Sequence, residues 1–149
     1  MSPPPRSSTD RETTRTNRSA QLHTLAENVG CQLTPREFSL HDGIRIAVDG
    51  ADGDPPNVLV QCAQVRGQLK SSHRNKVIAD AFKLMWLRDS VYPEAQALLA
   101  LSPEFTRLLS PGAWLPTALE HWRIHVVIVA PENGDASPIP GRDHEFTDQ

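Results

Sequence analysis

Asp49 closes the alternating segment DGIRIAVDG at 42–50, and Gln61 lies inside the apolar segment NVLVQCA at 57–63. An acid at the end of one strand, facing an acid on the next, makes a site for a hard cation. Mg2+ takes oxygen ligands, typically one or two carboxylates together with phosphate oxygens and water. A lysine beside it orients water and stabilises the charge that builds at phosphorus. The next strand here carries Gln61, whose carboxamide offers a carbonyl oxygen without a charge. Just downstream, RGQLKSSHRNK at 66–76 carries Arg66, Lys70, Arg74 and Lys76 with no acid among them. A run of that kind suits contacts to phosphates. Lys70 and Lys76 are the candidates for the cation near a phosphate.

Each feature also has a plainer explanation. Asp49-Gly50 is a turn dipeptide. Gln61 can be a hydrogen-bonded polar group of the core. A run of cations can be a solvated loop, and Lys76 with Asp80, four residues apart, can simply support a helix.

The elements that would position these residues are legible. Residues 20–30 space Leu22, Leu25, Ala26 and Val29 as an amphipathic helix ending at Gly30. Strands are predicted at 42–50 and 57–63, separated by a Gly/Asp/Pro turn at 51–56. Ser72 to Arg88 reads as a long helix with a broad apolar stripe. Its His73, Lys76, Asp80 and Lys83 share one polar face. Residues 95–101 read as a strand, because Ser102-Pro103 opens a short helix running to about Leu109. A further helix at 114–123 turns Leu115, Leu119 and Trp122 inward, and 124–130 is a β-branched strand. The expected fold is α/β, a mixed four-stranded sheet flanked by helices, with a right-handed parallel crossover between 57–63 and 95–101.

The words VDG at 48–50, VLVQ at 58–61, LK at 69–70 and NKVIADAFKL at 75–84 together resemble a compact bacterial branch of the PD-(D/E)xK superfamily. The resemblance covers roughly residues 42–130. It implies a restriction-endonuclease-like core and a Mg2+- or Mn2+-dependent nuclease acting on nucleic-acid phosphodiesters. Asp49 matches the metal-binding aspartate, Gln61 the second acid, and Ala63 the lysine of the short signature. The last two depart from the pattern. Lys70, Lys76 or Lys83 could supply the lysine from the following segment. Asp52, Asp54 and Glu27 are the acids considered for the missing charge.

Composition narrows the rest. The 149 residues suggest a single domain at 20–131, between tails at 1–19 and 132–149. Those tails carry +2 and −4 of the overall −3, and little apolar material, so both are expected to be disordered. The core is near neutral, and any basic feature is a local patch. Cys31 and Cys62 match no metal or redox spacing. No signal peptide or run of roughly 20 apolar residues is present, so a reduced cytoplasmic setting without a membrane is expected. His121 and His125 do not share a helical face, Cys62 reads as a small buried hydrophobe, and the three tryptophans are expected in or near the core. Two functions fit: a nuclease with a degenerate site, or a non-catalytic module on the same fold that binds nucleic acid or a protein.

Overall fold

The computed structural model describes residues 19–130 and 135–138. Helix α1 covers residues 19–29. The chain then continues through β1 (Thr34–Ser39), a 3-10 turn (His41–Gly43), β2 (Arg45–Gly53) and β3 (Pro56–Ala63). It goes on through α2 (Ser71–Ser90), β4 (Gln96–Leu101), a 3-10 segment (Pro103–Leu109), α3 (Trp114–His121), β5 (Ile124–Ala130) and β6 (Asp135–Pro138).

The strands form one sheet in the order β1-β2-β3-β4-β5-β6. β3, β4 and β5 run parallel to one another, and the outer pairings are antiparallel. The architecture is therefore mixed α/β, as expected, but the sheet has six strands rather than four. β1 was missed because TPREFS has no clean alternation, with only Phe38 fully buried. β6 falls within 132–149, read from composition as a disordered tail. Asp135–Pro138 instead pair with β5, whose free edge supplies the partner that composition cannot reveal. The rest of both predicted tails, residues 1–18, 132–134 and 139–149, lies outside the described residues, as does Pro131 at the end of the predicted domain, and Ser19 begins α1.

Side chains alternate across the sheet, so it builds two cores. Val58, Val60, Cys62, Leu98 and Ala100 meet Leu22 and Leu25 of α1. Leu59, Ala63, Leu99 and Leu101 meet Val77, Leu84 and Leu87 of α2, together with Phe105, Leu115 and Leu119. Covering both faces explains the continuous apolar run of β3 and β4. The buried Gln21 side chain fixes α1 at the end of the parallel pair, donating to the carbonyls of Ala63 (3.4 Å) and Ala100 (3.3 Å). Between β2 and β3 the turn is tight, and Gly53 there has φ +62°, a conformation that favours glycine.

The helical layer differs from expectation in one respect. Trp86, Trp114 and Trp122 are 37%, 56% and 48% exposed, so they are half-buried on the outer side of the helices, and Trp122 does not turn inward. Leu84, Leu87, Leu115 and Leu119 already fill the space against the sheet. No helix among the described residues is long and apolar enough to cross a membrane.

Leu99 is fully buried at the middle of β4. Leu99→Ala should cost about 2–5 kcal/mol in a urea titration. Gln96→Ala, at the exposed start of the same strand, should stay within about 0.5 kcal/mol.

Candidate functional site

Pairing between β2 and β3 runs from Gly53↔Pro56 through Ala51↔Leu59 to Gly50↔Val60, and stops there. Beyond that point β2 keeps its register with β1 only. Buried backbone N–H groups need partners even where a ladder ends. Two side chains supply them. The Asp49 N–H donates to Gln61 Oε1 at 2.8 Å, and the Cys62 N–H donates to Asp49 Oδ2 at 2.8 Å. The two residues singled out for chemistry therefore sit together where the strands part, each satisfying the other's strand.

Helix α2 closes the gap. Gln61 Nε2 donates to Asp80 Oδ1 at 3.0 Å, and Lys76 Nζ pairs with Asp80 Oδ2 at 2.6 Å. Lys83 Nζ donates to the Ala47 carbonyl on the diverging part of β2, at 2.9 Å. The polar helix face read from the sequence exists, but it does not simply face water. Asp80 and Gln61 are 6% and 3% exposed. Asp80 is the residue that sequence reasoning missed. Its signal was present in the shared spacing with His73, Lys76 and Lys83, and was absorbed by the helix-support explanation.

The acids considered as replacements are elsewhere. Asp52 Oδ1 accepts from the Asn57 and Val58 N–H groups and so fastens the β2–β3 turn. Glu27 lies beside His23 on α1, and Asp54 is exposed in the turn. Of the candidate cations, Lys76 joins the network. Lys70 precedes α2, where its backbone N–H donates to His73 Nδ1 at 2.9 Å. Its side chain, like Arg66 and Arg74, is exposed. The Arg74 guanidinium lies over the Trp114 ring, 5.4 Å from its centroid. Ala63 packs in the core.

This donor set does not fit a divalent cation. The Gln61 oxygen is turned to a backbone N–H. Asp80 is held by an amide on one oxygen and an ammonium on the other. A metal would have to displace Lys76 and rotate Gln61 to gain more than the Asp49 carboxylate. Among the described residues no three His, Cys, Asp or Glu side chains are grouped to hold a metal ion. Thiol chemistry is no better placed: burial, and after it the Asp52 carboxylate, push the Cys31 thiol up, and Cys62 is buried.

The chain superposes on the crystal structure of an XisH family protein from Nostoc punctiforme PCC 73102 with a TM-score of 0.55. Identity is 13%, over 81% of this chain and 95% of that one. The fold is restriction-endonuclease-like. No protein-family model matches the chain, and no curated protein matches it. At this identity the likeness concerns the fold alone.

The network makes two substitutions at one position diverge. Gln61→Leu strips partners from the Asp49 N–H and from Asp80, and should cost roughly 2–4 kcal/mol at any pH between about 5 and 8. Gln61→Glu keeps the first bond but sets a second carboxylate against Asp80. Two facing carboxylates disfavour double ionisation, so the penalty should be largest near pH 8 and shrink towards about pH 5, where a shared proton restores a donor. Urea midpoints of the natural chain and both variants at the two pH values measure this.

Proposed function

We propose that this chain is a non-catalytic nucleic-acid-binding module on a restriction-endonuclease-like fold. One observation carries the reading. The polar residues where β2 and β3 part satisfy one another through Asp49, Gln61, Asp80 and Lys76, while the adjoining cations stay exposed. The exposed group is Arg66, Lys70 and Arg74, in a stretch from 64 to 76 that contains no acid. The first turn of α2 likewise has no acid to compete for its N–H groups. A helix start of this kind favours anions, and cations around it release counterions when they meet a phosphate backbone.

A second reading is a degenerate nuclease using Mg2+ or Mn2+. Asp49 and Gln61 would be its ligands, and Lys70 or Lys76 its phosphate cation. The adjacency of Asp49 and Gln61 at the parting strands favours it. The commitment of the Gln61 oxygen and of both Asp80 oxygens argues against it.

Binding to a labelled duplex, followed by anisotropy across a salt series, separates the readings. With three exposed cations the slope of log K against log[salt] should be roughly −3. Replacing both Arg66 and Lys70 by Ala should reduce it by roughly 2, with little change in sequence preference. The bound duplex should stay intact in Mn2+. Metal-dependent cutting by the natural chain would overturn the non-catalytic reading. Absence of binding even at low salt would sink the nucleic-acid assignment and leave a protein-binding module. Cutting gained only by Gln61→Glu would locate the silencing at that amide.

A further inference from the structure

Helix α2 is apolar on two sides. Val77, Leu84 and Leu87 face the sheet. On the outside, Phe82 is 64% exposed, and Trp86 follows it at 37%. Ile78, Phe82 and Met85 border an apolar groove whose other wall is α3, with Trp114, Leu119 and Trp122. Taking about 200 Å2 for each large aromatic side chain, Phe82 and the three indoles leave roughly 400 Å2 of aromatic surface in water. A stable interface needs about 800 Å2 from each partner, so these four side chains alone supply about half.

We propose that this face is a two-fold interface with a second copy of the chain, α2 packing antiparallel on its symmetry mate through Phe82. Three features favour a second copy over other occupants. The stripe is self-complementary about Phe82, which stands near the middle of a helix of 20 residues. Seven positions before it is Asn75 and seven after it is Asp89, both exposed. A two-fold axis at Phe82 brings the Asn75 amide of one copy to the Asp89 carboxylate of the other, a donor to a charged acceptor. The same axis opposes Ile78 to Trp86 and Ala79 to Met85. An isologous contact uses the same patch on both copies, and here that patch is centred on Phe82 with the apolar groove beside it. Finally, the terminal segments are poor in material to cover four aromatics. Residues 1–18 contribute Met1 and prolines, and 139–149 contribute Ile139 and Phe146 as their large apolar side chains.

Sedimentation equilibrium of the full chain tests this. At roughly 100 µM, well above the dissociation constant of a micromolar contact, the natural chain should sediment at twice its monomer mass. Phe82→Glu should raise the dissociation constant at least tenfold with an unchanged circular dichroism spectrum, because Phe82 is largely outside the core. Asp89→Asn should weaken the dimer less. Asp89→Lys should weaken it more, and Asn75→Asp added to Asp89→Lys should restore it, since only an Asn75–Asp89 contact across the axis links these two positions. A monomeric natural chain at that concentration overturns the proposal. So does a dimer indifferent to Phe82→Glu, or a charge reversal that Asn75→Asp does not repair.

Discussion

The parting of β2 from β3 at Asp49 and Gln61 is the constraint around which the rest is arranged. A ladder that ends inside a folded domain leaves part-buried N–H groups in need of acceptors. Leaving one unmade costs about 1–3 kcal/mol. The Gln61 carbonyl and the Asp49 carboxylate each take one such donor from the opposite strand. Gln61 is then fixed in orientation. Its amide nitrogen points at α2, and only an acceptor can stand there. Asp80 is that acceptor.

A buried carboxylate needs both hydrogen bonds and a counter-charge. Asp80 has the Gln61 amide on one oxygen and the half-exposed Lys76 ammonium on the other. Lys76 therefore completes the network and takes the second oxygen of Asp80. Around Asp80, charge and hydrogen bonding balance within the protein. That balance distinguishes this site from one built to bind a metal, where carboxylates converge with lone pairs directed into a common space.

Helix α2 joins the three parallel strands to the site and to the outer surface. Its sheet-facing residues build one core, and its polar edge closes the parting strands. Its N-terminal turn continues the cationic stretch, and its outer stripe leaves aromatics in water. Near its other end the buried Arg88 guanidinium donates to the carbonyls of Trp122 and Arg123, tying the end of α3 to the same helix. Few of its positions are free of a structural or surface role.

The sequence by itself determined the four central strands, the long helix and the two residues at the parting of the strands. The strands and the helix follow from local periodicity and turn chemistry, which a short window contains, and the two residues were picked out by the family resemblance. It also indicated the cationic stretch, because an acid-free run is a property of composition. The remainder was decided by the tertiary structure. β1 and β6 are strands because an open sheet edge was available to pair them, and their own patterns are weak. Asp80 left the solvent because a buried amide on a strand 19 residues earlier required an acceptor. The tryptophans stayed outside because leucines from two helices had already filled the core. In each case the cause is a partner outside the segment itself, which periodicity within one segment cannot register.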